Sequence, residues 1–184
     1  ADAMTQRGAS LKKLADAGLL FPELPRDKGG RGASPYASHA AMAVWEKHGW
    51  GGHAKGTTMM VAAIMDRFGS DELKREVLEP VLRGEKICSL GYSEPGSGSD
   101  VFAAQTKATP EGNGWRIDGT KMFTSGANLS DYVLMLTRTN SDVPKHKGLT
   151  MFIVPLKAEG FSVQPVFTFQ DERTNITFYD GVKI

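Results

Sequence analysis

The hydrophobic pattern changes period near residue 86, and no other feature constrains the fold as strongly. Before that point apolar residues recur at helical spacing; after it they fall into short runs rich in β-branched and aromatic residues. A helical module followed by a strand-rich module is therefore expected, with domains over residues 1–86 and 87–184.

In the first half, "TQRGASLKKLADAGLL" sets Leu11, Leu14, Ala15 and Leu19 near one face. The loop "FPELPRDKGGRGAS" follows, punctuated by proline and glycine. Ser34 before Pro35 reads as an N-cap with proline in the first turn, opening a helix through "YASHAAMAVWEKHG". "WGGH" breaks it, and "AKGTTMMVAAIMDRFG" makes a third helix. Ser70 caps a fourth, "DELKREVLEPVLRG", which Pro80 is expected to end or kink.

In the second half the strands are "KICSLGYSE", "QTKATPE", "GWRIDGTKMF", "DYVLMLTRT", "LTMFIVPL", "FSVQPVF" and "TNITFYDGVKI". Asp118-Gly119 and Asn113-Gly114 read as hairpin turns. The fold class is α+β, an all-helical N-terminal domain followed by a small antiparallel β-barrel or sandwich.

Formal net charge is +1, which gives no reason to expect nucleic acid or an anionic membrane as main partner. No apolar run approaches the roughly 20 residues of a membrane span. The single Cys88 excludes an internal disulfide framework and fits a reducing compartment.

The stretch "GYSEPGSGSD", 91 to 100, combines backbone freedom with hydroxyls. It is not a Rossmann fingerprint, because no βαβ unit surrounds it, and no lysine makes it a P-loop. Two readings stay open: a tight surface turn, or a cradle in which Gly96 and Gly98 stand where a Cβ would strike a flat ligand or demand positive φ. "KMFTSGANLSDYVLML" places an aromatic, two hydroxyls and a glycine after one further hairpin. Two hydroxyl-rich strand ends beside Phe123 would form a polar, aromatic-backed concavity. Ordinary core packing for Phe123 and turn capping for Thr124 and Ser125 are the alternatives.

These residues resemble a known family. "SEPGSGSD" is similar to the acyl-CoA dehydrogenase signature S/T-E-P-x-x-G-S-D. "IDGTKMFTSGANLSDYVLML" resembles that family's G-x-K-x-W-I/T-T/S segment at the same spacing from the signature. "LTMFIVPL" and "RTNITFYDGVKI" resemble its next strand and the end of its middle domain. "GLLFPELPRDKGGRGAS" and the segment from Phe68 into the signature resemble its helical domain and the entry to the sheet.

The resemblance implies FAD-dependent desaturation of an acyl-CoA thioester between Cα and Cβ. It implies a flavin lined by Leu90, Gly91, Tyr92, Ser93, Gly98 and Ser99, with Tyr92 and Ser93 at the pyrimidine edge. Phe123, Thr124 and Ser125 would pack on the isoalloxazine, Thr124 or Ser125 donating near N5 or O4. Ser99 would meet the acyl-CoA, and Glu94 would hold the turn rather than act as a base. Phe123 stands where tryptophan is usual. The wording "FTSGA" and "RTN" resembles bacterial members that handle bulky acyl groups, including steroid side chains.

The family's C-terminal four-helix domain, with its catalytic glutamate and part of the FAD site, is not in this sequence, so no base is named. Partners implied are acyl-CoA, an electron-transfer flavoprotein or similar acceptor, and further subunits in a homo- or hetero-tetramer. The implied location is the cytoplasm of a bacterium or the mitochondrial matrix of a eukaryote. Two further readings stand beside this one: a non-catalytic flavin- or acyl-CoA-binding subunit, and an oxidase or monooxygenase on the same fold. His39, His48, His53 and His146 are read as surface residues rather than a metal site, and Met59, Met60 and Met65 as core filler.

Overall fold

The computed structural model describes residues 3–48, 53–169 and 173–184. It divides into two compact units, Ala1–Ile87 and Cys88–Ile184. The fold is α+β, a helical unit followed by a curled β unit.

In the helical unit, α1 spans Ala3–Asp16, α2 Pro35–Lys47 and α3 His53–Phe68. The Ser34 hydroxyl accepts the Ala37 N–H at 3.3 Å, and Pro35 occupies the first turn. This satisfies a helix-end donor that has no partner within the helix. The expected break at Trp50 to Gly52 lies outside the described residues. Ser70 accepts the Leu73 N–H at 3.2 Å and opens α4 (Asp71–Leu73).

Pro80 does not end the helix there. The chain widens into a π turn over Lys74–Leu78 and runs on as α5, Glu79–Leu82. Proline lacks the N–H that a regular turn would return to the carbonyl four residues back. The wider turn lets the Glu79 N–H reach Lys74 instead. Leu14, Leu20, Phe21, Trp45, Val61, Met65, Val77 and Val81 form the buried side of this unit. Of the methionine run only Met65 is core; Met60 is exposed, because it points away from the Val61–Met65 face.

The β unit contains β1 (Cys88–Gly91), β2 (Lys107–Glu111), β3 (Gly114–Lys121), β4 (Tyr132–Arg138), β5 (Leu149–Pro155), β6 (Phe161–Phe167) and β7 (Arg173–Lys183). They form one seven-stranded sheet in the order β1-β4-β2-β3-β7-β6, with β5 also on β4. Most pairings are antiparallel, but β1 and β2 both run parallel to β4. Val133, Met135, Ile117, Val154, Leu156, Tyr179 and Val182 fill the interior. Each fully buried aliphatic side chain of this size contributes about 1.5–3 kcal/mol. Trp115 packs on Phe152 at 5.1 Å between ring centres, and Phe161 on Tyr179 at 5.5 Å. β6 lies at a sheet edge, where Pro165 costs no inward ladder bond.

One expected hairpin turn is instead continuous strand facing a bulge. Asp118-Gly119 lies inside β3, where the register with β7 shifts between Ile117 and Gly119. Asp118 Oδ1 accepts the Gly181 N–H at 2.9 Å, and a Cβ on Gly119 (φ 150°) would meet Thr106 Oγ1 at 2.7 Å. The dipeptide stays within a continuous strand, and the extra residue falls in β7: Ile117 pairs with Val182 and Gly119 with Tyr179, so Asp180 and Gly181 stand opposite Asp118 alone. The true β2–β3 turn is Gly112-Asn113, with Glu111 opposite Gly114 and Gly112 at φ 63°.

Candidate functional site

Two strand ends meet, as the sequence suggests. The Met122 N–H donates to the Ser93 carbonyl at 2.8 Å, joining the segment after β1 to the end of β3. Leu90 and Gly91 lie on β1, paired with Leu134 and Met135 of β4. A Cβ on Gly91 would meet Val133 Cγ2 at 3.0 Å, so close packing against a neighbouring strand explains that glycine. Tyr92 and Ser93 are half-buried, and burial raises the Tyr92 hydroxyl pKa.

The signature turn is built on Glu94 and Ser97, which exchange backbone hydrogen bonds of 2.8 and 3.1 Å around Pro95-Gly96. Neither Gly96 nor Gly98 has positive φ, and a Cβ at either would meet nothing within 4 Å. The expectation that these glycines are needed for a left-handed backbone is therefore corrected. Proline presets the turn, and the remaining freedom faces outward. The Ser97 Oγ is buried with no hydrogen-bond partner among the described residues. Gly98 and Ser99 are exposed and lead into a 3₁₀ turn, Val101–Ala103. They are not hydrogen-bonded to the Phe123 turn among the described residues.

That second turn separates its residues sharply. Phe123 has φ 55°, uncommon for a bulky side chain, and the residue is 59% exposed. Thr124 is fully buried, and its hydroxyl shares a 3.2 Å hydrogen bond with Thr177. Ser125 is exposed, with its hydroxyl 3.1 Å from Thr174 Oγ1. Burial raises the Tyr179 hydroxyl pKa, and Tyr179 donates to Thr177 beneath this turn.

Asn175, fully buried, pins the turn. Its side-chain amide donates to the Thr124 carbonyl at 3.0 Å and to Asn128 Oδ1 at 3.1 Å. It was not among the residues expected from sequence, where it reads as one polar position in a strand. Lys121 was missed too, though strand alternation sets it on the inward side with Ile117.

Lys121 is fully buried, and its ammonium lies 2.7 Å from Glu94 Oε1. It also donates to the carbonyls of Tyr92 at 3.3 Å and Leu136 at 2.6 Å. Glu94 further accepts the N–H groups of Gln105 at 2.7 Å and Thr106 at 2.9 Å. Burial by itself would raise the Glu94 pKa; the Lys121 ammonium and the N–H donors outweigh it, and the carboxyl sits below its ordinary range. Burial lowers Lys121, and Glu94 offsets part of that shift. A carboxylate so fully engaged has no reach to a substrate proton.

Arg138 clamps two loops together. Its guanidinium donates to the carbonyls of Phe102, Ala104 and Lys145. Asp100 pairs with Lys145, and Phe102 meets His146 edge-on at 6.2 Å.

A helical module followed by a curled β module, with a Ser/Gly signature turn beside an outward aromatic, defines a two-module class. The N-terminal domain model of the acyl-CoA dehydrogenases matches residues 1–85, and their middle-domain model matches residues 89–177. The chain belongs to the acyl-CoA dehydrogenase family.

It is 40% identical to acyl-CoA dehydrogenase FadE26 of Mycobacterium tuberculosis over 70% of this chain and 33% of that protein. With the human mitochondrial short-chain specific acyl-CoA dehydrogenase it shares 32% identity, over 84% of this chain and 38% of that one. The solved Tcur3481-Tcur3483 steroid ACAD superposes with TM-score 0.87 at 34% identity, covering 97% of this chain and 46% of that chain. The ChsE4-ChsE5 complex from Mycobacterium tuberculosis gives TM-score 0.84 at 32% identity, over 97% and 46%. The chain thus spans less than half the length of these relatives.

Proposed function

We propose that this chain provides the helical and middle β modules of an enzyme that desaturates an acyl-CoA thioester between Cα and Cβ with FAD. The observation that carries this reading is Phe123. A strained backbone exposes an aromatic ring, with exposed Ser125 two residues on and the Tyr92–Ser93 segment joined by the Met122–Ser93 hydrogen bond. A flat apolar surface edged by hydroxyls and amides fits a flat heteroaromatic ring with polar edges. FAD would supply the hydride acceptor when bound.

In this reading Phe123 stacks on the isoalloxazine, while Tyr92 and Ser93 address its pyrimidine edge. Ser125 is the donor near N5 or O4, because Thr124 is turned inward to Thr177. Such fixed donors stabilise charge that accumulates on the ring without reorganising during the reaction. Ser99, exposed at the outer end of the signature turn, faces the acyl-CoA. No residue of this chain is assigned as the base that takes the α-proton.

The steroid ACAD among the similar structures supports a bulky acyl group as substrate. The ChsE4-ChsE5 complex supports a second reading, in which this chain works beside a non-identical partner subunit. Among the described residues no helix is long and apolar enough to cross a membrane. The reading itself, from the family, puts the protein in the cytoplasm of a bacterium or the mitochondrial matrix of a eukaryote.

The test is anaerobic titration of the full-length, flavin-loaded protein with a steroid-side-chain acyl-CoA and with a short-chain acyl-CoA. Bleaching of the flavin with formation of the enoyl product supports the reading. A protein that takes up no FAD, alone or with its partner subunit, overturns it.

A further inference from the structure

β4 changes partners along its length. Gly91 of β1 pairs with Met135, and Lys107 of β2 pairs with Arg138. Between these positions Leu136 has no strand beside it on that edge, and its carbonyl would be left without a donor. Lys121 Nζ fills that place at 2.6 Å. The same ammonium holds the Tyr92 carbonyl and Glu94, and Glu94 holds the N–H groups of Gln105 and Thr106, where β2 begins. One buried ion pair therefore ties together the end of β1, the end of β3, the gap in β4 and the entry to β2.

All of this adjoins the candidate flavin surface along the chain. Lys121 is followed by Met122, whose N–H bonds Ser93, and then by Phe123. Glu94 follows Tyr92 and Ser93. Fixing Lys121 and Glu94 fixes the peptide groups on both sides of the surface.

We propose that Lys121 and Glu94 are positioning residues for the flavin site: their ion pair sets the register between the Tyr92–Ser93 segment and the Met122–Phe123 segment, and through it flavin affinity and potential. The inference rests on the reading of this surface as a flavin site. It assigns neither residue a contact with cofactor or substrate. A buried pair is a weak source of stability compared with apolar residues of like volume, but it is strongly directional. An ammonium shared among two carbonyls and a carboxylate permits little movement of any of them.

The test uses the full-length protein. Apoprotein is titrated with FAD, and the midpoint potential of the bound flavin is measured, for wild type, Glu94→Gln, Lys121→Met and the double variant Glu94→Gln/Lys121→Met. Ile117→Ala, in the β core away from this pair, serves as the stability control. The double variant keeps one acceptor oxygen where Glu94 offers two to the Gln105 and Thr106 N–H groups, and it leaves no buried charge, so it is the variant expected to fold where a single variant does not.

The expected result is FAD binding weaker by about tenfold or more, the loss that about 1.4 kcal/mol represents, with a shifted flavin potential in every folded pair variant. Ile117→Ala lowers the melting temperature with affinity and potential unchanged. Double-variant protein with wild-type affinity and potential overturns the inference and leaves the pair a purely structural plug. Wild type that takes up no FAD overturns both this inference and the proposed function.

Discussion

Thr124 and Asn175 hold each other by two hydrogen bonds: the Thr124 N–H donates to the Asn175 carbonyl at 2.9 Å, and the Asn175 amide donates to the Thr124 carbonyl at 3.0 Å. The first is an ordinary backbone contact, and the second exists only because residue 175 is asparagine. Both polar groups are buried, so neither has water to replace a lost partner.

Asn175→Ala is therefore expected to destabilise the full-length protein by about 1–3 kcal/mol, the cost of leaving a buried acceptor unpaired. It also frees Asn128 Oδ1 and loosens the Phe123 turn. Chemical denaturation measures the first effect, and FAD titration the second. Unchanged stability would remove Asn175 from its pinning role.

Phe123→Gly separates strain from function. A non-glycine residue in the left-handed region costs about 1–2 kcal/mol, and the exposed Phe123 ring loses little burial on removal. The variant should melt at or above the wild-type temperature while binding FAD less tightly. Lower stability together with intact FAD binding would show the ring to be packing and nothing more.

The neighbouring hydroxyls should behave in opposite ways. Thr124→Val removes a buried hydrogen bond to Thr177 and should cost about 1 kcal/mol of stability with little change in flavin potential. Ser125→Ala should leave stability nearly unchanged and lower the flavin potential, slowing reduction by acyl-CoA. Paired unfolding curves and potentiometry on both variants distinguish the roles, and a potential shift confined to Thr124→Val would reverse the assignment.

Acid should weaken the fold through Glu94. Its pKa in the folded protein is below its ordinary value, so the unfolded chain binds a proton first as pH falls. The stabilisation is complete above the ordinary glutamate value of about 4.3. It is lost as pH drops through the lower folded value, leaving Lys121 buried without its counter-ion. Unfolding free energy against pH should show this limb in wild type and a shallower one in Glu94→Gln. Identical profiles would contradict it.

Ser97→Ala should stabilise the protein by about 1 kcal/mol, because it removes a buried hydroxyl that has no partner among the described residues. Thermal unfolding of the full-length variant checks this, and a lower melting temperature would point to a bonded hydroxyl.

Much of the architecture was legible locally. Ser34-Pro35 and Ser70 begin helices because their side chains satisfy helix-end N–H groups within three residues. The strands follow from runs of β-branched and aromatic residues, and the signature turn from proline beside small residues. The failures were equally local. Asp118-Gly119 carries a hairpin signal, but the signal is only the ease of an unusual backbone there. Whether that ease makes a turn or a strand position facing a bulge depends on β7 lying alongside. Pro80, expected to end or kink its helix, forbids one hydrogen bond; the chain widens into a π turn before it and the helix runs on to Leu82.

The sequence by itself determined the division into two modules, the seven strands, and two motifs whose order and spacing identify the family, because these depend on interactions within a few residues. Tertiary structure decided which of Thr124 and Ser125 faces outward and made Glu94 part of a buried pair. It also joined Lys121 and Asn175 to residues 27 and 51 positions away in the chain. Hydrogen bonds between distant strands depend on sheet order and register, and those emerge only when the whole β unit closes.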